Sequence, residues 1–194
     1  MTTTQTSTSS AVAPSMAPSD VQATVLEDRL TEQELMAKAF NTRCAFETDF
    51  PSNLLSGNMY VLVSEADKPG QPARIIDSNE AWLVDVYWYL SGQAASLICG
   101  QWRVKIFMES LGRDILDLEI PPAGRPVPMN LFNFYHVQFY IPPNYVRVEP
   151  TDGTPFEINV VTALIANNGR PSPIVGFCSL DPILFYYEAI EVSP

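Results

Sequence analysis

The chain has a single histidine, His136, so any histidine-based acid–base or nucleophilic mechanism must run through it. His136 sits between Tyr135 and Val137 in an alternating run, on the face opposite Val137 and Phe139. A nucleophile would have to come from elsewhere, and no Gly-x-Ser-x-Gly elbow is present to supply one. His136 therefore reads as a structural or surface histidine, and no catalytic residue is assigned.

Carboxylates are the second source of chemistry. Asp114, Asp117 and Glu119 cluster around an alternating strand, and Asp77 with Glu80 forms another pair. Such oxygens can hold calcium, and paired carboxylates can hydrolyse glycosides. No twelve-residue calcium loop is present, and nothing in the spacing pairs the acids across a substrate. A charged edge or outer sheet face, protected against aggregation, is the expectation. The cysteines, Cys44, Cys99 and Cys178, have no metal-ligand spacing, so neither a metal nor another cofactor is expected. An odd cysteine count does not read as a disulfide framework. Cys99 and Cys178 lie in apolar runs, where they are expected as buried thiols, although they could face each other.

Two runs must position whatever the chain presents. In Trp82–Leu90, the residues Trp82, Val84, Val86, Trp88 and Leu90 share one face. In Ser96–Met108, Trp102, Val104, Ile106 and Met108 do the same. Strict period-two alternation marks half-buried strands, and the Ser91–Ala95 link suggests that the two are neighbours. Their other faces carry Asp85, Tyr87 and Tyr89 on the first strand and Arg103, Lys105 and Phe107 on the second. Aromatic rings between charges form a candidate binding platform. The alternative is that Tyr87, Tyr89 and Phe107 lie under an N-terminal helix or a long loop. A second candidate contact is the loop carrying Phe132 and Phe134, which follows stiff proline-rich sequence.

Around these runs, three regions are expected. Residues 1–22 are nearly all Thr, Ser, Ala, Pro and Gln, a composition expected to form a disordered arm. Residues 23–50 are expected to hold an amphipathic helix and connector. Thr31 and Glu34 form a capping box there, followed by Leu35, Met36, Ala39 and Phe40 on one face, with Leu26 and Leu30 as an upstream extension. Residues 51–194 read as strands and turns without a βαβ rhythm, which gives an all-β class and a two-layer antiparallel β-sandwich. Pro121–Pro126 is expected to break the strand that starts near Ile115, and Asn167–Pro171 to make a tight turn.

Charge and hydropathy bound the partners. Of 194 residues, 22 are acidic and 11 basic, a net charge of −11. That field repels polyanions, so nucleic acid is not an expected partner. No apolar run approaches the about 18 residues of a membrane span. The N-terminus lacks a basic start and an apolar core, so no secretory signal is expected. The cytoplasm, or membership of a larger particle, is the expected location.

One stretch resembles the immunoglobulin-like superfold. Asp152-Gly153-Thr154-Pro155-Phe156-Glu157-Ile158 is similar to the corner that leads into strand F, with Phe156 where a tyrosine normally folds back. Trp82, Trp88 or Trp102 would be the central-strand tryptophan. The resemblance spans about residues 80–165 and implies a sandwich but no particular function. The functional expectation is a non-catalytic structural or accessory protein that binds protein subunits or further copies of itself. A carbohydrate-binding module using the outer aromatic face is the alternative.

Overall fold

The computed structural model describes residues 21–26, 32–37, 40–112, 117–130, 133–146, 148 and 153–187. Its elements in chain order are β1 (Gln22–Leu26), α1 (Glu32–Ala37), β2 (Thr42–Thr48), β3 (Ser56–Glu65), β4 (Ile75–Asp77), β5 (Trp82–Ser91), β6 (Gln101–Ser110), β7 (Asp117–Pro128), β8 (Phe134–Ile141), β9 (Thr154–Ile165), β10 (Pro171–Ser179) and β11 (Ile183–Tyr186). The protein is all-β: among the described residues α1 is the only α-helix, and it is six residues long.

The strands form one large mixed sheet with the hydrogen-bonded path β1-β8-β5-β3-β2-β10-β9-β11-β4, and β6 and β7 branch from β9. Strand β9 is the hub. Its Val160 pairs with Ile106 of β6 on one edge and with Cys178 of β10 on the other. Beyond β10, β11 takes over that second edge at Phe156. The β11–β4 pair is parallel, and the other ladders are antiparallel.

Alternation delivers the core as the pattern requires. All nine inward residues of the two tryptophan strands are buried, none more than 5% exposed. Trp88 stacks on Tyr135 with ring centroids 5.0 Å apart and meets Trp102 edge-on at 5.9 Å. Trp82 and Phe156 both contact Phe185. Each buried indole removes about 200 Å² from water, roughly 5 kcal/mol of apolar driving force before entropy is counted. Burial also raises the Tyr135 phenol above its ordinary pKa, a shift partly offset by Trp102, so the hydroxyl stays protonated at neutral pH.

Several expectations are corrected here. β5 and β6 are not ladder neighbours: β5 pairs with β3 and β8, while β6 pairs with β7 and β9. The reason is the link. The strand begins at Gln101 rather than Ser96, so residues 92–100, with a 3-10 turn at Ala95–Leu97, are long enough to cross over instead of forming a tight hairpin. Gly100 permits that crossing at φ +143°, where a Cβ would lie 2.3 Å from the Ile165 carbonyl oxygen.

The 23–50 region is not only helix and connector: residues 22–26 form β1 against β8, and 42–48 form β2 against β3 and β10. Leu26 therefore lies in a ladder opposite His136. Of the expected arm, residues 1–20 lie outside the described residues, as do Leu30, Thr31 and Ala39. The prolines of 121–126 do not end β7, which runs on to Pro128. Among the described residues β7 has a ladder only with β6, and a missing N–H is tolerated on an edge strand. Residues 121–124 bulge out opposite Lys105, because Ile120 pairs with Ile106 and Arg125 with Val104. Gly124 supplies the positive φ, +70°, that the bulge needs.

The cysteine expectation also changes. Cys44 of β2 and Cys178 of β10 form a disulfide with Cα atoms 5.6 Å apart, and Cys99 is an exposed free thiol. Cys44 is half-buried on the inward side of a strand that alternates, with Arg43, Ala45 and Glu47 exposed; alternation turns Cys44 inward but does not name Cys178 on a strand 134 residues away as its partner.

Two stability outcomes follow. Trp102→Ala should lower unfolding stability by about 3–5 kcal/mol, read as a shifted urea midpoint at constant slope. The disulfide spans 134 residues, and a loop of that order contributes up to about 5 kcal/mol in the chain-entropy model. Reduction should therefore lower the melting temperature by many degrees, and an unchanged value would mean that the two thiols are not bonded.

Candidate functional site

The six residues expected to share one platform are divided between two surfaces. Asp85, Tyr87 and Tyr89 lie on the β3-β5-β8 part of the sheet, and Arg103, Lys105 and Phe107 on the β7-β6-β9-β10 part.

The β5 surface is covered. Tyr60 of β3 pairs with Tyr87 in the ladder, and both are buried, at 2% and 4% exposed. Phe40, just before β2, packs on both, with ring centroids 5.1 Å from Tyr60 and 5.6 Å from Tyr87. Phe134 packs beside Tyr87, so one residue of the candidate loop joins this cluster, while Phe132 lies outside the described residues. Tyr89 is half-buried and accepts a hydrogen bond on its hydroxyl from Asn58 Nδ2 at 2.9 Å. Arg43 lies over the Tyr60 ring at 5.3 Å.

Asp85 is buried at the centre of this surface. His136 Nε2 is 2.6 Å from its Oδ1, and Gln138 Nε2 donates to the same oxygen at 3.1 Å. The ladder explains the meeting: Asp85 pairs with Gln138, and Tyr87 with His136, so the two short cross-strand contacts share one face. The His136 and Tyr87 rings stack with centroids 3.8 Å apart. An Asp–His pair is two parts of a nucleophilic triad. Here the imidazole is only 3% exposed and stacked against a tyrosine ring. The arrangement gives a buried carboxylate its hydrogen-bond partners.

The β6 surface is only partly covered: the buried Gly124 of the β7 bulge lies against the stems of Arg103 and Lys105, and the rest of the surface is open. Arg103, Phe107 and Glu109 are exposed, and Lys105 is half-buried with its ammonium bonded to Glu119 and 5.8 Å from the Phe107 ring centroid. Register places these residues in rows across the strands. Lys105 is opposite Val161, which is opposite Phe177 of β10. Arg103 is opposite Ala163, which is opposite Val175. Phe177 is 51% exposed and Phe107 36%. At the far end, Glu109 stands between Asp117 of β7 and Glu157 of β9. One surface thus has a basic end, a middle in which Phe107, Val161 and Phe177 lie among Lys105, Glu119, Asn159 and Ser179, and an acidic end.

Phe177, Val161 and Val175 escaped the reading of the sequence. Ile174-Val175-Gly176-Phe177 is apolar on both faces, so its alternation has no contrast to say which side is outward. Of the other acids, Asp114 lies outside the described residues, and Asp77 Oδ1 accepts from the Asn79 amide in a turn. Among the described residues no cluster of histidine, cysteine and acidic side chains could hold a metal ion. No described helix is long and apolar enough to cross a membrane. A shallow open depression near Lys68 and Arg74 is lined by charges already paired, Lys68 with Glu65 and Arg74 with Asp181.

No protein-family model and no curated protein matches the chain. Among solved structures, it is similar to the sporulation control protein Spo0M from Bacillus subtilis, with 12% identity over 67% of this chain and 50% of that one and a TM-score of 0.34. The chain spans about half the length of that protein. A likeness this low carries no argument about what the chain does.

Removing Asp85 takes the acceptor from half-buried Gln138 Nε2 and the close partner from buried His136 Nε2. Asp85→Ala should therefore lower stability by about 3 kcal/mol, and Gln138→Ala by much less. Equal effects in chemical denaturation would show that the carboxylate is not the centre of the cluster.

Proposed function

We propose that the chain is a non-catalytic structural or accessory protein that binds other protein subunits within an oligomeric assembly. The architecture that fits is a two-layer β-sandwich of the immunoglobulin-like kind. The contact of Trp88 with Trp102, on strands without a shared ladder, supports two layers.

The observation that carries the binding role is the outward set of Val161 and Phe177 in the Lys105 row and Phe107 in the next row. Apolar side chains of this size on adjacent strands form a patch that water covers at a cost, and such patches mark contact sites. The flanking Arg103 and Glu109 give that patch the polar rim of a protein interface. A sugar-binding platform finds less support, since Tyr87 is 4% exposed and cannot offer a ring face to a ligand. Of the settings expected from the sequence, a larger particle outside the reducing cytosol agrees better with the Cys44–Cys178 bond.

Phe177→Glu tests this role without touching the core. In capture from an extract of the source cells, the wild-type chain should retain proteins, foreign or its own kind, that the variant loses. Identical retained sets would count against this surface. A strictly monomeric chain that retains nothing would count against the role itself.

A further inference from the structure

The geometry points to a second copy of this chain as the occupant of the β7-β6-β9-β10 face, docked by a two-fold axis that runs across the strands. This deepens the protein-binding reading above and rests on it.

The argument is the order of charges along β6. Arg103, Lys105, Phe107 and Glu109 all point outward. Six residues separate Arg103 from Glu109, about 20 Å at strand rise. An axis lying in the face, between the Lys105 and Phe107 rows, reverses strand direction in the second copy and keeps β6 against β6. Arg103 then meets the second copy's Glu109, and the reciprocal pair forms at the other end. Lys105 meets the other copy's Phe107, a geometry that favours a cation over an aromatic ring. The two Phe177 rings come together about one row apart on the facing β10 strands. A closed two-fold contact requires this self-complementarity, residue i on j and j on i.

The acidic end gives an independent reason. Glu109 is directly opposite Asp117 on one side and Glu157 on the other; Glu157 Oε1 accepts hydrogen bonds from Ser179 Oγ at 2.8 Å and Asn159 Nδ2 at 3.4 Å, so the repulsion falls mainly on Glu109 and Asp117. Like charges so placed repel and weaken the isolated sheet. The repulsion is relieved when a cation arrives, and the second copy's Arg103 supplies one. The net charge of −11 opposes any meeting of copies, but at physiological salt that long-range term is screened beyond about 8 Å, whereas the Arg103–Glu109 pairs act at contact.

Size sets the strength. Four strands about 4.8 Å apart and nine residues of β6 give roughly 500–600 Å² per copy, below the about 800 Å² of a standard stable interface. The dimer is therefore a micromolar one, seen at high concentration or within an assembly.

Sedimentation velocity on the full-length oxidised chain from 1 to 300 µM tests this. The weight-average mass should rise from monomer to dimer over that range. Arg103→Glu and Glu109→Arg should each raise the dissociation constant at least tenfold, and the double reversal R103E/E109R should restore it to within about threefold of wild type. Glu109→Arg should also raise the monomer's melting temperature, since it breaks the row of like charges, so loss of the dimer could not be put down to misfolding. A monomer throughout the range overturns the proposal, whether another protein or the chain's own N-terminal residues then cover the face. A dimer indifferent to the three charge variants overturns it too, while leaving the protein-binding role intact. Failure of that role would instead show as Phe177→Glu losing nothing from the extract.

Discussion

Trp88 and Trp102 meet edge to face although no backbone hydrogen bonds join their strands. The remaining features depend on that contact, because it fixes which side of β5 and of β6 is inward. Pleating does the rest. Once the indoles point inward, Asp85 and Tyr87 must point to one outer side, and Arg103, Lys105 and Phe107 to another. The Cys44–Cys178 bond ties β2 to β10, the step where the path passes between the strands bearing these two surfaces. The two tryptophans thus separate residues that a planar reading of the sequence places side by side.

The two outer surfaces then meet opposite fates, for reasons of polar satisfaction. On the β5 side a carboxylate is buried, which is tolerable only because His136 and Gln138 supply partners from the adjacent strand. Phe40 and Tyr60 complete a small apolar cover beside them. On the β6 side the cations and acids reach solvent, and nothing described packs over Phe177. Burial of the first surface is a matter of stability, and exposure of the second leaves it available for contact.

What the sequence tells about this fold depends on contrast. In β5 and β6 the outward residues are polar or charged often enough that alternation names the inward set without a structure. Alternation says nothing about which strand lies alongside, and the error over β5 and β6 arises there. In β10 both faces are apolar, so the pattern cannot separate Cys178, which faces the core, from Phe177, which faces out. Prolines mislead for a different reason. They forbid a ladder hydrogen bond but not extended backbone, and among the described residues β7 has a ladder on one side only. The Asp85–His136 contact joins residues 51 apart in sequence, and only strand register, not composition, brings them together.

The same prolines bear on how contact can be made. A sheet protein can associate through its edges or through a face. Edge pairing needs a row of unpaired N–H and C=O groups. In β7, Pro121, Pro122, Pro126 and Pro128 remove N–H donors, and the bulge at residues 121–124 breaks the row further. At one end of the path β4 is three residues long, too short for a ladder that would hold a partner by backbone bonds alone, whereas β1 at the other end is a five-residue strand paired with β8. The β7 and β4 edges are thus defended in the way natural sheets defend them, while Phe177 is left exposed on its face. A chain that needed only to stay monomeric would be expected to charge that position as well. With these two edges poorly suited to backbone pairing, contact through the Phe177 face would be decided by side chains rather than by backbone.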